Sequence, residues 1–317
     1  MAYVLRRIVT MIPVLIFLSI MVFLLIHLIP GDPAQTILGQ SATPQAIAAL
    51  RAQMGLNLPL PLQYAHWVGH LVQGNLGNSL LDNEPVVHLI GQRLPVTVEL
   101  AIGTIIIALL IAFPLGILAA VYRGKVADFV AMFASTIGLA VPPFWIGLIF
   151  LLVFTVHIHL FPSSGYVPLS QNIGQNLASM ILPMVATGIR EAAVLLRMLR
   201  SSLLDVIDQD FVRTARAKGL HGYAIIVHHA LKNALIPVIT TGGLQIAGLL
   251  GGLVITEQIF TLPGFGSLLV QSVFSRDYTT VQGAAMVVAL LVVFVNLAVD
   301  LVYGVVDPRI RVQGGKA

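Results

Sequence analysis

"DFVRTARAKGLHGYAIIVHHALKNALIPV", residues Asp210 to Val238, is the most basic long stretch in a chain of 317 residues of which only 9% are charged. Its first part reads as a short helix. Asp208 or Asp210 can cap the start, Phe211 to Lys218 contains good helix formers, and Gly219 is a stop signal with Lys218 in the last turn. A second helix starts near Tyr223 and runs into Pro237. On the first helix Phe211, Ala215 and Gly219 share one face at i, i+4, while Arg213, Arg216 and Lys218 spread over the others. A bulky apolar anchor with small neighbours suits insertion into a groove on another protein. A loop that merely holds positive charge on one side of a membrane has the same charge.

The surroundings of this stretch are apolar. At 57% hydrophobic residues and a mean hydropathy of +0.95, the chain is excluded from the ordinary soluble class, in which about a quarter of residues are charged. Six runs approach the ~20 residues that cross a hydrocarbon core about 30 Å thick: roughly Ile8 to Ile29, Val96 to Val121, Phe129 to Val156, Leu177 to Met198, Ile236 to Phe260 and Val281 to Val305. The first follows Arg6 and Arg7 and ends at Pro30-Gly31-Asp32-Pro33; it is too long for a signal-peptide core and has no A-x-A site before the break, so it reads as an uncleaved span. A wetter segment, 30–95, comes next, with a helix after Thr43-Pro44, a turn at Leu58 to Pro61 and an amphipathic stretch from Gln63 to Val72.

Charge then sets the orientation. With Arg6 and Arg7 cytoplasmic, six crossings place Arg123, Lys125, the run Arg197 to Lys232, and Arg309, Arg311 and Lys316 on the same side, leaving Arg51, Arg93 and Arg276 opposite. That asymmetry obeys the positive-inside rule and predicts two cytoplasmic termini. The basic residues are dispersed between lipid-like runs, which argues against nucleic acid as partner. The expected organisation is a first membrane helix over 1–29, an extracytoplasmic segment over 30–95, a membrane core over 96–305 containing a cytoplasmic loop at 201–235, and a cytoplasmic tail at 306–317. Ala108, Ala112, Gly116 and Ala120, and again Gly243, Ala247 and Gly251, form small-xxx-small ridges that predict close helix packing. No cysteine is present, so disulfides and thiolate sites are excluded.

"RTARAKGL" (Arg213 to Leu220) and "HALKNALIPV" (His229 to Val238) resemble the cytoplasmic loop of bacterial ABC-importer permeases, specifically the peptide and nickel branch. "HLIPGDPA" (His27 to Ala34), "LPGFGSLL" (Leu262 to Leu269), "RDYTTVQG" (Arg276 to Gly283) and "NLAVDLVYGVVDPRIR" (Asn296 to Arg311) extend the resemblance over nearly the whole chain. The general loop of such permeases reads Glu-Ala-Ala, three residues, Gly; of it only Ala215 and Gly219 survive here. The resemblance implies an all-α polytopic membrane protein of the type I ABC-importer (MetI-like) fold, acting as the first permease subunit of a dipeptide, oligopeptide, glutathione or nickel importer. It also implies a homologous second permease, two cytoplasmic ATPases and an extracytoplasmic substrate-binding protein as partners. ATP and Mg2+ would be used by the ATPases, and Phe211, Arg213, Ala215, Arg216, Lys218 and Gly219 would couple to them. In agreement, no G-x-x-x-x-G-K-[ST] phosphate loop occurs, so this chain is expected to be no enzyme and to bind no cofactor.

Ionisable groups within spans cost about 2.5 to 3.5 kcal/mol each on the insertion scale, which marks them as candidates for function. Arg190 and Glu191 stand out in the fourth run; adjacent on a helix, they point about 100° apart. Two roles fit: contact with the charged ends of a peptide in a wet passage, or a structural pairing with Glu257 or Asp300. Glu99 is assigned no role. His66 with His70, and His157 with His159, have spacings a metal can use, yet no third ligand or carboxylate clusters with them, and boundary histidines fit as well. His228 and His229 fall in the basic loop. Pro263, Gly264 and Phe265 break the fifth run and precede a short helix with Leu268, Leu269 and Val273, a candidate outer gate or receptor contact. An ion-coupled secondary transporter is the alternative, with Glu191, Glu257 and Asp300 as couplers, although that class often shows two related halves and this chain shows no repeat. Neither H-E-x-x-H nor G-x-S-x-G occurs to support an intramembrane hydrolase.

Overall fold

A backbone in hydrocarbon can satisfy its polar groups only internally, so a chain this apolar is expected to be helical. The computed structural model describes residues 2–28, 33–39, 42–53 and 55–306. Residues 29–32, with the Pro30 to Asp32 part of the first break, and the tail carrying Arg309, Arg311 and Lys316 lie outside them. Among the described residues there is no strand beyond one bridge between Asn78 and Pro85. The helices are α1 (Ala2–Leu28), α2 (Pro33–Leu38), α3 (Pro44–Gln53), α4 (Leu60–Val72), α5 (Val86–Val121), α6 (Val126–Ala140), α7 (Pro143–His157), α8 (Ile173–Ile207), α9 (Asp210–Ala217), α10 (Gly222–Gly252), α11 (Val254–Ile259), α12 (Phe265–Phe274) and α13 (Tyr278–Val306).

Helices α5, α8, α10 and α13 are each long and apolar enough to cross a membrane; Val9–Leu24 of α1 is a shorter apolar helix. The third apolar run departs from expectation. It is two helices, α6 and α7, bent by 95°. Val141 precedes Pro142 and is held extended (φ −88°, ψ 124°), and Pro143 follows directly, so no amide is left to carry the helix through. The opposite correction applies to Pro237, which was expected to end a helix. It lies inside α10, which starts at Gly222, passes through a π-helical turn at Ile225–Ala230 and stops only at Gly252. Helices in a membrane tolerate such a proline where neighbouring helices support them.

The chain divides into two compact units. In the first, Met1–Val96 with Pro263–Val293, Tyr64 of α4 meets Phe23 of α1 edge-on at 5.4 Å and shares a 2.8 Å hydrogen bond with Ser19. A core of Val86, Ile90, Phe265, Leu268 and Ala284 joins the starts of α5, α12 and α13. Asp277 caps α13, accepting from the Thr280 amide (3.2 Å) and hydroxyl (2.7 Å), and also accepts from Ser79 Oγ (2.6 Å) and the Leu80 amide (3.1 Å). Gly77, at φ +83°, lies so near Thr279 that a Cβ would come within 2.6 Å of its methyl. One carboxylate and one glycine therefore tie loop 74–85 to the α13 N-terminus.

The second unit, Thr97–Leu262 with Phe294–Ala317, is organised on α8. Leu195, Leu196, Leu199 and Leu203 of α8 are almost fully buried against Ala108, Ala112 and Ala120 of α5 and Ala230, Ala234 and Val238 of α10. The first small-residue ridge thus packs on α8: a Cβ at Gly116 would meet Leu199 at 3.1 Å, and a methyl at Gly103 would overlap Met184. The second ridge is only partly used. Gly243 abuts Val299, whereas Gly251 faces open space.

Helix α11 ends in a left-handed residue, Thr261 (φ 53°), with its amide on Gln258 O (3.3 Å) and the Leu262 amide on Glu257 O (2.8 Å). This is the paired bonding of a glycine C-terminal cap made by a β-branched residue. Left-handed backbone costs such a residue about 1 to 2 kcal/mol. Thr261→Gly is therefore expected to stabilise the protein by about 0.5 to 1 kcal/mol, read as a higher unfolding midpoint in detergent; a lowered midpoint would contradict this.

Candidate functional site

Helix α8 carries both Arg190 and Glu191, and they meet. Arg190 Nη1 donates to Glu191 Oε1 at 3.2 Å, with the Arg190 side chain 50% exposed and that of Glu191 8%. Although neighbours on a helix point about 100° apart, arginine's long side chain spans that angle. Glu257 was an alternative partner; it is fully buried in α11 and accepts from Thr97 Oγ1 at 2.5 Å. The side chain of Asp300 lies outside the described residues. Around Arg190 and Glu191 opens a cleft of about 450 Å³, lined by Pro143 and Phe144 of α7, Thr187 of α8, Thr241, Gln245 and Gly248 of α10, and Thr256 of α11. Gln245 donates to the Glu191 carbonyl (3.1 Å), and Thr187 and Thr256 share a bond of 3.2 Å. The cleft is thus an apolar groove with one exposed cation, one shielded anion and a row of hydroxyl and amide groups.

The basic loop has the expected helix, stop and second helix, but its faces are rearranged. Gln209 holds the N-cap position, Asp210 is the first helical residue and bonds Arg213 at 3.5 Å, and Asp208 instead closes α8. At the other end Gly219 (φ 78°) forms a paired cap: its amide bonds Arg216 O (2.9 Å) and the Leu220 amide bonds Ala215 O (3.3 Å). Ala215 does not share an open face with Phe211. It is 7% exposed and packs with Val212 and Ile225, fixing α9 against the start of α10. Phe211, Arg213, Arg216, Lys218 and Gly219 remain exposed, as do His228 and His229.

Phe265 requires a second correction. It is 1% exposed and anchors α12 in the first unit's core, so it is not presented to a partner. Gly264 is buried and Pro263 half-buried, while Val273 and Phe274 at the far end of α12 are exposed. Among the described residues no three His, Asp or Glu side chains are grouped to hold a metal ion; His66 and His70 are exposed on α4.

Residues 112–312 match the model of the binding-protein-dependent transport system inner membrane component, and residues 1–101 match the model of the N-terminal part of such membrane components. The chain belongs to this permease family. It is 40% identical to the "Probable peptide ABC transporter permease protein y4tP" of Sinorhizobium fredii, over 98% of this chain and 99% of that one. It is 39% identical to the dipeptide transport system permease protein DppB of Escherichia coli, over 98% of both. Its fold is similar to that of a chain of the MetNI methionine ABC transporter in an inward-facing conformation, with a TM-score of 0.56 at 18% identity, covering 69% of this chain and 96% of that chain.

Two polar clusters of this permease escaped the sequence reading. Arg200 of α8 grips Asp128 of α6 with two bonds of 2.6 and 2.8 Å, and Asp128 also accepts from the Gly124 amide at 2.9 Å. One turn earlier on α8, Arg197 donates to Ser135 (2.9 Å) and Thr136 (2.6 Å) of α6. Both arginines had been counted only as loop charges. The second cluster centres on Glu99, which accepts from Tyr166 Oη (2.7 Å) and Asn176 Nδ2 (2.6 Å) and so binds the α7–α8 connection to α5 and α8. Burial, and then the bond to Glu99, push the Tyr166 phenol up to about 12. The i, i+3 spacing of Arg197 and Arg200 was the one available signal for the first cluster; nothing local marks Glu99 as the partner of a tyrosine 67 residues away.

Proposed function

We propose that this chain is a translocation subunit of an ATP-driven importer of di- or oligopeptides, built from six membrane crossings with both termini in the cytoplasm of a bacterial inner membrane. In this reading α1, α5, the bent α6–α7 pair, α8, α10 and α13 are the crossings. A homologous permease, two ATPases and an extracytoplasmic binding protein complete the assembly, and ATP and Mg2+ are handled by the ATPases. The names of the relatives, peptide and dipeptide permeases, support the cargo class.

The observation that carries the reading is α9. Val212 and Ala215 turn its buried side to Ile225 of α10, leaving Phe211 as an exposed apolar knob on a helix whose other faces carry the exposed Arg213 and Arg216, with Lys218 at its end. Exposed aromatic and arginine side chains are the usual anchors of a protein interface. Only Asp208 and Gln209 separate α9 from α8, so a push on the knob passes to the helix that lines the cleft, as a rigid-body movement. Arg190 and Glu191 then lie on the path of the cargo.

The test is uptake by the purified assembly in sealed vesicles. ATP-dependent accumulation of a labelled dipeptide, undiminished by ionophores, is expected. Accumulation driven by an ion gradient without ATP would favour a secondary carrier instead.

A further inference from the structure

Arginine at the middle of a membrane helix is costly unless it faces water or a partner. Here Arg190 has a partner, yet the partnership is incomplete. Glu191 takes one bond from Nη1, and among the described residues the rest of the guanidinium donates to no protein acceptor. Half of the side chain stays exposed where it lines the cleft's wall, while its counter-ion is shielded. A pair built only to cancel charge would bury both members together. The asymmetry instead presents a fork of donors, oriented from behind by a carboxylate that is itself fixed on a helix whose carbonyl Gln245 holds. A planar fork of this kind matches a carboxylate in geometry as well as in charge.

The remaining lining fits the rest of a small peptide. Thr187, Thr241 and Thr256 line it with hydroxyls that are engaged with each other or with Pro237 O and keep a lone pair to accept with, and among the described residues Gln245 Oε1 is buried without a partner. Phe144 and Leu244 supply apolar wall, and about 450 Å³ lies in the range of small-ligand pockets.

We propose that the Arg190 fork in this cleft seats the terminal carboxylate of the peptide during passage, with Glu191 as the positioning residue that aims it. The inference rests on the reading of the chain as a peptide permease. It gives the cleft a sign: zwitterionic peptides bind and their C-terminal amides do not.

The absence of cysteine from the chain makes a direct test available. Gly248 lines the cleft, and a Cβ there would meet nothing within 4 Å, so Gly248→Cys adds a thiol without displacing a neighbour. In the purified assembly, a small charged methanethiosulfonate reagent labels that thiol. Alanyl-alanine at millimolar concentration is expected to slow labelling at least 3-fold, and alanyl-alanine amide to leave it unchanged. Arg190→Gln should remove the protection and Arg190→Lys should restore part of it. Equal protection by acid and amide, no protection by either, or protection that survives Arg190→Gln would each overturn the assignment. A thiol that the reagent never reaches would overturn it too, by showing the cleft to be dry. Failure of the permease reading is recognised separately, as uptake that does not depend on ATP in the unsubstituted assembly.

Discussion

Phe211→Asp is expected to lower ATP-driven peptide uptake at least 100-fold and to abolish the rise in ATP hydrolysis that loaded binding protein causes. Phe211 is 38% exposed although it is large and apolar, and it is not a member of the Val212, Ala215 and Ile225 cluster that holds α9 in place. The substitution therefore leaves the fold of the loop alone. Loss of an aromatic anchor costs an interface about 2 kcal/mol or more, and a carboxylate forced into the vacated apolar socket adds a desolvation penalty of similar size. Phe211→Ala, which lacks the second contribution, should lose roughly 10- to 30-fold, about 1.4 kcal/mol per factor of ten. Unchanged uptake by Phe211→Asp, with the protein assembled, would remove α9 as the contact with the ATPase.

Asp277→Ala is expected to destabilise the first unit by about 3 kcal/mol. The carboxylate is 3% exposed and accepts four hydrogen bonds, two from Thr280 at the start of α13 and two from the Ser79–Leu80 turn. Bonds to an ionised group contribute about 1.5 to 3 kcal/mol each, less than additively when they share one acceptor. Removing it strands buried donors on two segments nearly 200 residues apart in sequence. Loop 74–85 should become the first site of proteolysis, and the unfolding midpoint in detergent should fall. Asp277→Asn keeps one carbonyl acceptor at the cap and should lose about half as much. A change below about 0.5 kcal/mol for the alanine variant would show that the turn is held by its packing at Gly77 alone.

Several features were legible in the residues because they depend on neighbours close in sequence. Thr43-Pro44 opens α3, with Thr43 Oγ1 accepting from the Ala46 amide at 3.3 Å. Gly219 closes α9 because only a left-handed residue permits its two cap bonds. Pro263-Gly264 precedes a short helix as read. The break at Pro142-Pro143 was not read: the run Phe129 to Val156 counts as one span by hydropathy, since apolar composition is blind to direction and a 95° bend does not change it. Pro237 was misjudged for the converse reason, because support from neighbouring helices is invisible in a window of residues.

The candidate site divides in the same way. Arg190 and Glu191 announced themselves as charges in an apolar run, but which of them faces the cleft is set by α7, α10 and α11, all distant in sequence. Ala215 and Phe211 looked equivalent at i, i+4; Ile225, ten residues on, buries one and leaves the other out.

The chain's own residues determined that it is a helical membrane protein, roughly where its apolar runs lie, and that a basic helix and an intramembrane charge pair are its points of interest, because hydropathy, caps and insertion cost are local quantities. Only the tertiary structure decided that Glu191 is shielded while Arg190 is open, that Phe265 is core, and that Arg200 belongs to Asp128. Burial and pairing are properties of what the fold brings together, and the partners here lie 72 residues apart for Arg200 and Asp128, and on helices separated by a bend or a loop for the rest.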